Sequence, residues 1–152
     1  MLFLQATNPV SVALNSYEWI FPASEIFHII GFGISIGSVA LVDFSLLGVA
    51  LHKKGTPQLL RDTAPWTLIA LVIVLLAGFV LFLTDPIHYI YNVAWEFKMA
   101  ALLLAIVFNY TIHRKVALSE NASRPASAVV ALVSMALWVS VVFGGLFIAF
   151  VA

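Results

Sequence analysis

The sequence predicts an all-α integral membrane protein: a four-helix bundle preceded by a short N-terminal interfacial amphipathic helix. Three observations predict it. First, 63% of the 152 residues are hydrophobic and only 9% are charged, where an ordinary soluble domain carries about 25% charge; a water-soluble enzyme is excluded. Second, four runs are long and apolar enough to cross a hydrocarbon core ~30 Å thick at ~1.5 Å rise per residue. Third, the basic residues sit almost entirely in the connections on one side of those runs. There is no cysteine, which excludes disulfides, thiol nucleophiles, iron–sulfur clusters and Cys-ligated zinc. Seven Lys and Arg balance seven Asp and Glu, so no net field recruits nucleic acid.

Residues 1–24 read as an outer-face segment. Asn8-Pro9 is a helix start, and Val10, Ala13, Leu14, Tyr17, Ile20 and Phe21 recur at helical spacing, the pattern of a helix lying on the membrane surface. No basic stretch and no small-residue cleavage pattern marks a secretory signal there. Residues 25–152 form one transmembrane domain with spans at about 25–51, 66–84, 95–113 and 126–151. Pro22-Ala23-Ser24, Gly55-Thr56-Pro57, Asp85-Pro86 and Arg124-Pro125 punctuate them. Strands are not expected, since an open sheet edge cannot be satisfied in lipid.

Orientation follows from charge. Lys53, Lys54 and Arg61 lie in the first connection and Arg114, Lys115 and Arg124 in the third, with only Lys98 on the other side. By the positive-inside rule both termini face the periplasm of a bacterial inner membrane. Trp19, Tyr89, Tyr91 and Trp95 would form an outer aromatic belt, and Trp66 and Tyr110 an inner one.

Ionisable groups inside spans are costly and are functional candidates by default. In the first span His28, Ser35 and Asp43 fall within about 80° of one another at ~100° per residue. In the third, Lys98, Asn109 and His113 fall within about 60°. Both spans run in the same direction, and the depths match: His28 with Lys98, Asp43 with His113. The two stripes are therefore expected to face each other, with Asp85 near enough to neutralise Lys98. Ser35, Asp43, Asn109 and His113 would form a buried polar network. Gly33 and Gly37 form a Gly-x-x-x-Gly pair, read as helix packing inside the bundle.

Histidine is the remaining ligand for haem or a metal. His28 and His88 lie at the outer side, His52 and His113 at the inner side. Bis-histidine haem ligation needs imidazoles on facing helices with room for a flat macrocycle, room that Gly31, Gly33, Gly78 and Gly144-Gly145 are small enough to supply. Haem b would be held by His28, His88, His113 and His52, with Lys98 pairing a propionate. A copper site would instead draw on His28, His88, Asp85 and Met99. More ordinary readings stand beside these: His52 as a headgroup-facing residue, His88 as a loop residue, His113 as a partner of Asp43.

The pieces His28-x-x-Gly31, Asp43-x-x-Leu46-Leu47-Gly48, Gly78-x-x-x-Phe82-x-x-Asp85-Pro86-x-x-Tyr89-x-x-Asn92, Lys98 and His113 resemble small bacterial four-helix membrane proteins similar to the membrane domain of the copper-resistance-D family. The resemblance covers roughly residues 25–115. It implies an inner-membrane bundle related in outline to b-type cytochromes, with haem-based electron transfer or copper handling as its function. It carries over His28, Asp43, Asp85, Lys98 and His113, and leaves out His88 and His52. The expected function is that of a haem b redox protein passing electrons within the membrane. The alternatives are copper handling and a non-catalytic accessory subunit. Expected partners are the lipid bilayer, a quinone or another redox protein, and further copies or subunits.

Overall fold

The structure, a computed structural model, describes residues 8–49, 55–119 and 121–151. The described residues are helical, with no strand among them. They comprise α1 (Pro9–Asn15), α2 (Ile20–Leu46), α3 (Gly55–Thr84), α4 (Pro86–Ile90), α5 (Val93–Phe108), a π-helical turn (Asn109–His113), α6 (Arg114–Ala117) and α7 (Arg124–Phe147). Four helical stretches are long and apolar enough to cross a membrane: Ile20–Leu46, Gly55–Thr84, Val93–Leu118 and Arg124–Phe147. Their outward faces are apolar, as with Ile29 and Ile34 on α2, Leu76 on α3, Leu103 on α5 and Leu132 on α7. Continuous exposed apolar surface on every side suits lipid and not water. The chain is a multi-pass membrane protein.

The element ends follow local chemistry and depart from the expected boundaries for identifiable reasons. α2 begins at Ile20 because Pro22 sits in its first turn, where its missing N–H is not required. It ends at Leu46, short of the expected 51, because Gly48 adopts φ 74°. The amides of Gly48 and Val49 bond the carbonyls of Ser45 and Phe44, a Schellman closure that only glycine makes without strain. Residues 50–54, including His52, lie outside the described residues. α3 starts well before the expected 66: Pro57 lies in its first turn, and Pro65 is carried inside the helix. Asn92 caps α5 by accepting from the amides of Ala94 and Trp95, and its Nδ2 donates to the carbonyls of Ile148 and Val151 beyond α7.

The N-terminal repeat does not form one amphipathic helix. It breaks after Asn15, leaving Val10, Ala13 and Leu14 on α1 and passing Ile20 and Phe21 to α2. α1 is moored by polar contacts: Ser11 Oγ donates to Leu83 O at 2.7 Å and Asn15 Nδ2 to Thr84 O at 3.0 Å. Carbonyls at a helix C-terminus have no partner within their own helix, and α1 supplies one in trans.

α2 packs along α3 and also meets α7, while α5 packs along α7. α2 and α5 are thus diagonal neighbours whose long polar side chains meet across the interior. One end of the bundle carries the outset of α2 and the close of α7, and is called the terminal end. The other carries Arg61, Arg114, Lys115 and Arg124 and is called the basic end. Between them lies an apolar layer to which all four long helices contribute: Val39, Leu71, Leu102, Ala105, Trp138 and Val141.

Candidate functional site

Two polar clusters occupy the interior, one on each side of that layer. Towards the basic end, Asp43 and His113 are each 1% exposed, and His113 Nε2 lies 2.7 Å from Asp43 Oδ1. Ser134 Oγ donates to Asp43 Oδ2 at 2.9 Å. α2, the π-helical turn and α7 each contribute one member, so both carboxylate oxygens are occupied. The proton on Nε2 donates to the carboxylate, which leaves His113 Nδ1 as a buried nitrogen without a partner among the described residues. Ser134 was not anticipated from the sequence.

The π turn explains how His113 arrives there. A π turn holds one residue more than an α turn, which sets Asn109 and His113 back towards the interior, where both are buried. The Thr111 hydroxyl donates to Val107 O, the carbonyl that a regular α turn would offer to the Thr111 amide. Such bulges are frequent at functional sites. A cavity of about 20 Å³ lies against His113, lined also by Ser38, Thr63, Thr67, Asn109 and Arg114.

Towards the terminal end, His28 Nδ1 lies 2.9 Å from Val74 O. A carbonyl only accepts, so Nδ1 carries the proton and Nε2 the lone pair. Lys98 Nζ donates to that lone pair at 3.4 Å. The imidazole stacks on Phe32 and seats on Gly78: a Cβ there would fall 3.0 Å from His28 Cε1. A Cβ at Gly144 would fall 3.0 Å from Lys98 Cα. These glycines bring helices into contact with the two polar side chains.

The remaining expected residues are dispersed. Asp85 does not pair with Lys98. Its carboxylate caps α4, accepting from the His88 amide at 3.2 Å, and among the described residues the ion pair is Asp43–His113 alone. Asp85 and Glu25 reach Tyr89 instead, whose phenol pKa is pushed up by burial first and by those two carboxylates second. His88 is exposed and lies edge-on to Tyr89, and Met99 is exposed on α5. Asn109 and Ser35 are buried as expected. Ser35 Oγ makes no hydrogen bond among the described residues, so the network closes through Ser134 and not through Ser35. Gly33 and Gly37 face outward, and a Cβ added at either would meet nothing within 4 Å, which corrects their expected role inside the bundle. Gly31 does pack inside, 3.0 Å from Val74 Cγ2 by the same measure. Gly31, Gly78 and Gly144 are therefore points of close approach between helices.

Among the described residues no three His, Asp or Glu side chains converge as a metal site requires. As to haem, His113 Nε2 is taken by Asp43, and His28 and His113 lie on opposite sides of the apolar layer. The bundle does not offer two facing imidazoles from that pair. His28 presents its Nε2 lone pair to Lys98 Nζ.

Fold and interior together define the class: a four-helix membrane bundle with a hydrogen-bonded acid and base buried on one side of an apolar layer and a lysine–histidine pair on the other. The chain belongs to the DUF6644 family, a family of unknown function, whose model matches residues 14–151. No curated protein and no solved structure matches the chain. The match shows no relationship to the copper-resistance-D family, and haem and copper enter only as proposals.

Proposed function

We propose that this protein is a proton-exchanging subunit of a bacterial inner-membrane redox system, with its termini in the periplasm and its basic end in the cytoplasm. The observation that carries the reading is the Asp43–His113 contact at 2.7 Å with both groups fully buried. Ionised groups in hydrocarbon are expensive and persist when paired. A proton taken up at His113 Nδ1 turns a single negative charge, held by the Ser134 hydroxyl, into a neutral ion pair. The pair can therefore load and unload one proton without leaving an isolated cation. The one-sided basic residues support the orientation. A quinone or another redox protein would act as the partner that couples to this proton, in a homo-oligomer or a larger complex.

Proton uptake after a pH jump on the purified protein tests the reading. Asp43→Asn and His113→Gln variants that remain helical by circular dichroism are expected to take up one proton fewer. Unchanged uptake in both would overturn it.

A second reading, haem b binding with electron transfer, is favoured by one observation: the Val74 carbonyl holds the proton on His28 Nδ1, as metal-ligating histidines are held, so that Nε2 keeps a lone pair that a ligand would take over from Lys98 Nζ. Bound haem would supply one-electron chemistry. His28 would hold it and Lys98 would pair a propionate, with any further ligand coming from His88 or another chain. A Soret band lost in His28→Ala supports this reading; a colourless protein after reconstitution with haem contradicts it. Copper handling through His28, His88, Asp85 and Met99 has no converged cluster in its favour.

A further inference from the structure

The pair at Asp43 has unequal surroundings along the bundle. Towards the terminal end it meets the apolar layer, where Val39, Leu71, Leu102, Ala105, Trp138 and Val141 are all buried. Towards the basic end His113 borders the cavity of about 20 Å³. A cavity of roughly 10–15 Å³ or more takes one water if two to four polar partners surround it. Ser38, Thr63, Thr67 and Asn109 supply hydroxyl and amide groups at the wall. The lining also includes Arg114, which is exposed near the basic end, so the cavity lies on the side of the pair that faces that end. Meanwhile His113 Nδ1 is a buried nitrogen with no partner among the described residues, a feature that in native proteins calls for a bound water or ion.

We infer that this cavity is a water site and half-channel: one water bound at His113 Nδ1 connects the Asp43–His113 pair to the basic end, while the apolar layer closes it to the terminal end. The inference rests on the proton-exchange reading and adds its route and its side. The balance is simple. A proton passes from the aqueous phase at the basic end to the cavity water, and that water hands one to Nδ1; the Nε2 proton stays on the Asp43 hydrogen bond. The titratable and charged groups at the pair are Asp43 from α2 and Tyr110 and Arg114 from the third span, while α3 presents Thr63 and Thr67 and α7 presents Ser134. Arg114 disfavours metal cations at the mouth, leaving water as the occupant. The chain alone would then conduct no protons across the membrane, and passage beyond Asp43 would need a partner or a rearrangement of the layer.

The test uses the full chain, ¹⁵N-labelled at histidine and reconstituted in liposomes in one known orientation, with pH set separately on the two sides. The His113 nitrogen signals are expected to follow the pH at the basic end and to ignore the other. Ala64→Leu fills the cavity wall, and Thr67→Val removes one polar partner with little change of shape; in either, the response is expected to be lost while the Asp43–His113 hydrogen bond remains in the spectrum. A His113 that titrates from both sides, or from the terminal side, overturns the half-channel but leaves proton exchange standing. A response unchanged in both variants also overturns it. A His113 that titrates from neither side overturns the proton-exchange reading itself.

Discussion

The two polar clusters sit at opposite ends of one apolar layer and solve the cost of burial differently. At Asp43 an acid meets a base, a hydroxyl fills the second carboxylate oxygen, and one nitrogen is left over. At Lys98 the amine meets an imidazole, with no carboxylate in ion-pair reach among the described residues, and glycines on α3 and α7 let the neighbouring backbones close around it. The first joins an acid to a base through hydrogen bonds. The second is matched in shape and built to hold His28 in one tautomer. In a low-dielectric interior a lone partner left behind costs far more than the intact pair contributes, so the two clusters should respond to substitution with different magnitudes and even different signs.

The largest effect is expected from Asp43→Ala. It strips His113 of its partner and leaves Ser134 unpaired, a loss of about 3 kcal/mol or more for a broken buried pair. Unfolding in detergent micelles measures it, and the Asp43→Leu/His113→Leu double variant should recover part of the loss. A loss no larger than that of an average surface change would erase the distinction between the clusters. Next comes close packing around the Lys98 cluster. Gly144→Ala is expected to destabilise by about 1–3 kcal/mol through overpacking against the Lys98 backbone, and Gly78→Ala to displace the His28 ring. Gly33→Ala and Gly37→Ala, whose added methyl groups meet nothing in this chain, should stay within about 0.5 kcal/mol. Equal effects at Gly144 and Gly33 would show that the helix faces are misassigned. Lys98→Met should be neutral or stabilising, since it removes an amine with no acidic partner and keeps its length. Ser134→Ala is expected to cost about 0.6 kcal/mol by the usual strength of interhelical hydrogen bonds in membranes, a small loss beside that of Asp43→Ala.

The spans were legible because hydrophobic runs of that length have no soluble use, and the pairings at His28–Lys98 and Asp43–His113 were legible by counting depth along helices of known rise. Other features were not. Ser134 is one small hydroxyl in an apolar helix, although its seven-residue spacing from Ser127 and its place one turn before Trp138 put it on the buried face. The π turn at Asn109–His113 leaves no mark in hydrophobic periodicity. Asp85 has two available uses, a salt bridge or a cap, and Pro86 decides for the cap by setting the first turn of α4. The outward direction of Gly33 and Gly37 follows from helix phase relative to neighbours, which Gly-x-x-x-Gly spacing alone does not specify. The glycines that do bring helices together are Gly31, Gly78 and Gly144, each defined by the side chain or backbone it meets.

The central claim is a proton shared between Asp43 and His113 and exchanged at the free nitrogen. Infrared difference spectra of the reconstituted protein across a pH titration measure this most directly. The expected result is a coupled change of one carboxylate and one imidazole, both absent in Asp43→Asn and both unchanged in Lys98→Met. A titration in which the Asp43 and His113 bands stay fixed at every pH that keeps the protein folded would contradict it.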